Sequence, residues 1–122
     1  MSVPLSQVKV PHLGGIDVQY SLPKPYDSSK PTVIFINSFW TNANLYRAQF
    51  NDERLSGAVN LLAIELLGHG GTKGPEQFTY WDSAIMNLQV MEALGIRQAF
   101  VLGTSQGGWI CARMALLGGP KV

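Results

Sequence analysis

Cysteine and histidine are almost missing from this chain of 122 residues: there is one cysteine, Cys111, and two histidines, His12 and His69. A lone cysteine excludes an internal disulfide and points to a reducing, cytoplasmic setting. Two histidines and one cysteine far apart in sequence give a metal nothing to build on, so neither metal nor cofactor is expected. Charge is scarce as well. Asp, Glu, Lys and Arg are 14% of the residues and sum to +1. The basic side chains are scattered, so neither nucleic acid nor an acidic membrane surface is an expected partner. Long apolar runs are also lacking. The stretch from Leu61 to Leu67 is broken by Glu65 and is far too short to span a membrane. The opening MSVPLSQVKV lacks the basic-then-apolar order of a secretory signal, and none is expected.

What is present suits a buried α/β core within one domain, because hydrophobic residues make up 46% of the chain. Prolines crowd the N-terminal quarter. There, Val8-Lys9-Val10 and Ile16-Asp17-Val18-Gln19-Tyr20 alternate apolar with polar around Gly14-Gly15, which reads as an antiparallel hairpin at a sheet edge. From Pro31 onward the pattern changes. Thr32-Val33-Ile34-Phe35-Ile36 and Leu61-Leu62-Ala63-Ile64 are continuous apolar runs, the signature of strands covered on both faces. A short helix is expected between them, from Asn44 to Phe50. A longer one should start at Thr79, with Asp82 completing a capping box and Gly95 ending it. Its spacing predicts that Trp81, Ile85, Leu88 and Met91 face the core. After the hairpin the order is β, α, β, α, β, α, which implies a mostly parallel sheet with right-handed crossovers.

The last strand and helix enclose Gly103-Thr104-Ser105-Gln106-Gly107, a G-x-S-x-G sequence. Three fixed positions match by chance about once in ten in a chain this rich in glycine, so the flanking context carries the assignment. The apolar Ala99-Phe100-Val101-Leu102 precedes it, and a helix starting near Trp109 and running to Leu117 follows. A strand reverses directly into a helix only where the residues flanking the apex carry almost no side chain. The apex serine is then held in a strained backbone conformation with its hydroxyl raised above the sheet edge. A rival loop, Gly68-His69-Gly70-Gly71-Thr72-Lys73-Gly74, lacks the order of a phosphate-binding loop and is followed by Pro75 rather than a helix.

In this order the residues resemble the N-terminal half of the α/β-hydrolase superfamily, through its nucleophile elbow. Three landmarks carry the resemblance: Asn37-Ser38-Phe39-Trp40 after the first parallel strand, where the family has His-Gly and an oxyanion residue; Glu65-Leu66-Leu67-Gly68-His69-Gly70-Gly71-Thr72, similar to the family's Asp-x-x-Gly-His-Gly-x-Ser loop; and the elbow at Ser105. The resemblance implies one N-terminal portion of such a domain over residues 1–122. It also implies that the triad acid and histidine come after the elbow, so they are expected outside this chain.

A serine hydroxyl attacks effectively only when a base takes its proton. His12 and His69 both precede Ser105. His12 is expected to be exposed beside the hairpin and His69 to shape its glycine loop. Ser105 is therefore the expected nucleophile, with oxyanion N–H groups from Gln106 and, through the resemblance, Phe39. Trp40 is a candidate wall of a substrate pocket, whereas Trp109 is expected in the core. Glu65 is expected to anchor its loop. The resemblance implies a serine hydrolase for a small-molecule acyl substrate (ester, thioester or lactone), inactive as this chain alone. The alternatives are an acyltransferase of the same fold and a non-catalytic binding module. Serine rather than aspartate at the apex argues against the epoxide-hydrolase and dehalogenase branches. Self-association or a complementary C-terminal half is the expected partner.

Overall fold

The computed structural model describes residues 2–122, and its first two strands form the expected hairpin. β1 (Ser6–Val10) and β2 (Ile16–Ser21) pair antiparallel, with Val8 opposite Val18 and Val10 opposite Ile16. One side of this ladder is apolar and buried. The other carries the exposed pair Lys9–Asp17 at 3.4 Å. The turn between the strands is a single 3-10 turn, His12–Gly14, and positive φ at Gly14 and Gly15 lets the chain reverse within it.

β3 (Thr32–Ile36), β4 (Asn60–Ile64) and β5 (Phe100–Gly103) complete one sheet in the order β1-β2-β4-β3-β5. β3 runs parallel to both β4 and β5, while β2 joins β4 antiparallel through Tyr20–Ile64 and Ser21–Ala63. The continuous apolar runs follow from burial on both faces. Ile34, Ile36, Leu62 and Ile64 point to one core with Met86, Val90, Met91, Ile110 and Met114. Phe35, Leu61 and Ala63 point to a second core with Val3, Tyr46 and Phe50. In that second layer the Phe35 ring lies 4.9 Å from Tyr46 and 5.5 Å from Phe50, tilted and edge-on.

Two helical segments follow β3 rather than one. A 3-10 turn at Ala43–Tyr46 runs into α1 (Arg47–Phe50), and then α2 (Glu53–Ala58) is capped by Asp52, whose side chain accepts from Leu55 N. Asn42 caps this first segment through Asn44 N and the segment covers the expected span from Asn44 to Phe50, whereas α2 is a further helix with its own polar cap. α3 (Tyr80–Ala93) has the expected capping box of Thr79 and Asp82, and Gly95 follows it at φ +72°.

The buried face of α3 differs from the expected stripe. Ser83, Ala84, Met86, Asn87, Val90 and Met91 are buried, whereas Trp81 is 43% exposed and Ile85 and Leu88 are only half-buried. α3 packs against its neighbour α4 (Gln106–Gly118). Asn87 Nδ2 reaches Met114 Sδ there at 3.5 Å. Trp81 and Tyr80 instead face the Arg113 guanidinium, 5.0 and 5.4 Å from their ring centres. Among the described residues no helix is long and apolar enough to cross a membrane.

Beyond β3, β5 pairs with no other strand among the described residues. Phe100 and Leu102 lie opposite Val33 and Phe35, on the same face as the second core, and are 71% and 46% exposed. Trp109, Leu116 and Leu117 on α4 are exposed as well. Trp109 was expected in the core; it points outward because Ile110 and Met114 occupy the inner face of α4.

Candidate active site

The elbow is compressed to its minimum. β5 ends at Gly103 and α4 begins at Gln106, leaving Thr104 and Ser105 to make the reversal. Ser105 has φ 53° and ψ −114°, a left-handed conformation that a side chain enters only under constraint. The constraint lies in the two motif glycines. A Cβ on Gly103 would overlap the carbonyl of Gly107, and one on Gly107 would overlap the carbonyl oxygen of Ile36 and come within 2.8 Å of that of Asn37. The first turn of α4 therefore rests directly on the ends of β3 and β5, and Ser105 projects outward. The residue is exposed, and no described group bonds its hydroxyl.

Parallel pairing brings the second element alongside. Ile36 lies opposite Gly103, and Thr104 N donates to Ile36 O at 3.2 Å. Past Ile36 the chain makes a tight turn over Ser38–Thr41, closed by Thr41 N donating to Ser38 O at 3.2 Å. Trp40 sits in this turn at φ 61°, 84% exposed, with its ring edge-on to Phe39 at 5.0 Å. Neither the N–H of Phe39 nor that of Gln106 has an acceptor among the described residues. An N–H at the start of a helix and a second in an adjacent turn are the donor types that stabilise an oxyanion.

The two histidines are committed elsewhere. His12 Nε2 is 2.8 Å from Asp82 Oδ1, and the side chains are 19% and 20% exposed. The expected exposed histidine is thus a half-buried tie between the hairpin turn and α3, which sequence spacing over this distance does not reveal. Asp82 is held below the usual carboxylate range, first by the Thr79 N–H and then by His12. His69 Nδ1 lies 2.9 Å from Leu67 O, its ring is edge-on to Phe39 at 5.7 Å, and its Nε2 is buried without a partner. Neither bonds Ser105.

A buried polar frame behind the turn was largely invisible in the sequence. Glu65 anchors its own loop, as expected: Gly71 N donates to its Oε1 at 2.9 Å, and Thr72 Oγ1 to its backbone oxygen at 2.8 Å. Its carboxylate also reaches Ala43 N and Gln19 Nε2. Tyr46 OH donates to Ile36 O at 2.6 Å and lies 2.7 Å from Thr104 Oγ1, which links the 3-10 turn to the elbow. Burial pushes the Tyr46 hydroxyl above its ordinary pKa. The only signal available beforehand was a charged residue, Glu65, inside an apolar run.

A strand, a strained serine and a helix at the edge of a mixed, partly parallel sheet define a class, and the sequence agrees with it. The profile of the alpha/beta hydrolase fold family matches residues 31–122, and the chain belongs to that family. Among solved structures it is similar to a probable hydrolytic enzyme from Pseudomonas aeruginosa PAO1, with a TM-score of 0.85 and 20% identity over 98% of this chain and 39% of that one. It is similar to a hydrolase from Pseudomonas aeruginosa PA01, with a TM-score of 0.80 and 25% identity over 95% of this chain and 43% of that one. An epoxide hydrolase A from Mycobacterium thermoresistibile superposes with a TM-score of 0.79 at 19% identity, covering 98% of this chain and 37% of the other. The chain thus spans well under half the length of these structures. No curated protein sequence matches it.

Proposed function

We propose that this chain carries the nucleophile half of a serine hydrolase acting on ester, thioester or lactone substrates through an acyl-enzyme at Ser105. The observation that carries the reading is the backbone of Ser105, φ 53° and ψ −114°, with an exposed hydroxyl at the start of α4. Strain at a polar residue that the fold over-determines points to function. In this reading Ser105 attacks the acyl carbon. The N–H groups of Gln106 and Phe39 receive the developing oxyanion, a contribution of about 2.7–4 kcal/mol per donor. Trp40 borders the acyl group. The base and its orienting acid come from outside these residues, because His12 is tied to Asp82 and His69 to Leu67 O. Serine at the apex favours this chemistry over that named for the epoxide hydrolase neighbour. The lone Cys111 fits a reducing, cytoplasmic setting.

The exposed edge of β5 and the outer face of α4 favour a companion reading of the partners. Phe100, Leu102, Leu116 and Leu117 would be covered by a complementary C-terminal half or a second copy. A non-catalytic interaction module would use the same surface without needing Ser105.

Activity-based labelling separates the two. A fluorophosphonate should modify Ser105 once a histidine-bearing C-terminal segment is supplied, as a longer chain or a second polypeptide. The same mixture with Ser105→Ala should stay unlabelled. The 122-residue chain alone should turn over p-nitrophenyl acetate no faster than its Ser105→Ala variant. Label mapped to any other serine would overturn the assignment.

A further inference from the structure

The turn that presents Phe39 and Trp40 is poorly held by packing, since these side chains are 56% and 84% exposed. Its shape depends instead on polar anchors, and both ends are anchored to two consecutive residues just past β4. At the front, Asn37 is 1% exposed. Its Oδ1 accepts from Leu66 N at 3.1 Å, while its Nδ2 donates to Ser38 O at 3.1 Å and to Thr41 O at 2.9 Å. At the back, Ala43 N donates to Glu65 Oε2 at 2.8 Å. Glu65 is itself 1% exposed and faces no Lys, Arg or His within salt-bridge distance among the described residues. Its other oxygen accepts from Gln19 Nε2 at 2.7 Å and Gly71 N at 2.9 Å. Gly70 has no room for a Cβ beside that carboxylate.

We propose that Glu65 and Asn37 are positioning residues that clamp the 37–43 turn from both ends and so fix the aim of the Phe39 N–H. The proposal rests on the Ser105 reading for its catalytic meaning, but its structural content stands apart from that reading. A buried carboxylate is costly unless its oxygens are fully bonded. Glu65 meets that condition with three N–H donors from three separate segments. Only an anion accepts at both oxygens, so an amide of the same size must turn an NH2 toward one of the donors. When its oxygen stays with Gln19 and Gly71, the donor that loses its acceptor is Ala43 N, the rear anchor. Gln19→Ala perturbs the same carboxylate from the opposite side and leaves the Ala43 bond in place, so it is the control for a purely structural role.

Two measurements test the clamp. The first is amide hydrogen exchange of the 122-residue chain, followed over residues 37–46. Glu65→Gln should speed exchange of this segment by about tenfold or more while α3 and α4 stay protected, and Gln19→Ala should not. The second uses the chain supplied with its catalytic base. Glu65→Gln should lower kcat by about tenfold or more, a fraction of the 10²–10³ lost when an oxyanion donor is removed, and KM should stay within about twofold. If Glu65→Gln does not fold, Asn37→Asp reads the front anchor by the same measurements, because it loses the donors to Ser38 O and Thr41 O. Unchanged exchange over residues 37–46, or equal effects of Glu65→Gln and Gln19→Ala, would overturn the clamp. Wild-type chain that is never labelled at Ser105 would sink the hydrolase reading instead and leave the exchange result to decide the clamp.

Discussion

Adding one methyl group at Gly107 should destabilise the chain more than almost any other single-atom-scale change. A Cβ there would overlap Ile36 O, stand 2.8 Å from Asn37 O and 2.9 Å from Ile36 C, against an ordinary contact of 3.4 Å or more. All three atoms are main chain at or just past the end of β3, an interior strand of the sheet. Ile36 O has no freedom to turn aside, because Thr104 N and Tyr46 OH both donate to it. Relief requires α4 to lift from the sheet by about 1 Å, which opens the packing of Ile110 and Met114 beneath it. Overpacking a rigid contact costs about 1–3 kcal/mol and occasionally more, and loosening a buried hydrogen bond adds about 1 kcal/mol or more. We expect Gly107→Ala to cost about 3 kcal/mol or more. Gly108, one residue on, is the control. Its Cβ would meet only Gly103 O, at 3.5 Å, within helix α4. Gly108→Ala should be neutral or stabilising by up to about 1 kcal/mol through helix propensity. Urea unfolding followed by far-UV circular dichroism measures both. With a slope of about 2 kcal/mol per molar, Gly107→Ala should lower the midpoint by about 1.5 M. A Gly107→Ala midpoint within about 0.3 M of the parent would refute the account of why both motif glycines are required.

Asp82 gives a pH-dependent test. Its folded pKa lies below the ordinary value, so the stability it contributes is present above about pH 4, the unfolded value, and is lost as pH falls through the lowered folded value. Asp82→Asn should therefore flatten the acid limb of the urea midpoint against pH, leaving a residual slope from Asp27, which is lowered in the same direction. An unchanged limb would show that the His12 and Thr79 bonds do not bias its ionisation. The exposed β5 edge and the Leu116 and Leu117 face predict association, and sedimentation at micromolar concentration should show species larger than a monomer. A single monomeric species with cooperative unfolding would remove that expectation.

Local patterning decided much of this protein. Alternation in Val8–Val10 and Ile16–Tyr20 set the hairpin, and the two apolar runs set the buried parallel strands, because period and burial are properties of a few neighbouring residues. The capping box at Thr79 and Asp82 and the elbow glycines were legible for the same reason: each is a short-range steric or hydrogen-bonding requirement. What neighbours alone do not specify came out differently. α3 buries Ser83, Ala84 and Asn87 rather than Trp81 and Leu88, since the rotation of α3 about its own axis is set by the elements packed against it and no single helix encodes that rotation. Trp109 faces outward because the inner face of α4 was already filled by Ile110 and Met114. His12 meets Asp82, and Glu65 meets Ala43 and Gln19, across sequence separations that only the sheet order β1-β2-β4-β3-β5 closes. The sequence therefore specified which backbone turns must be strained and which strands must be buried. Only the packed sheet decided which polar groups would meet behind them, because a buried carboxylate takes whichever N–H donors the fold delivers.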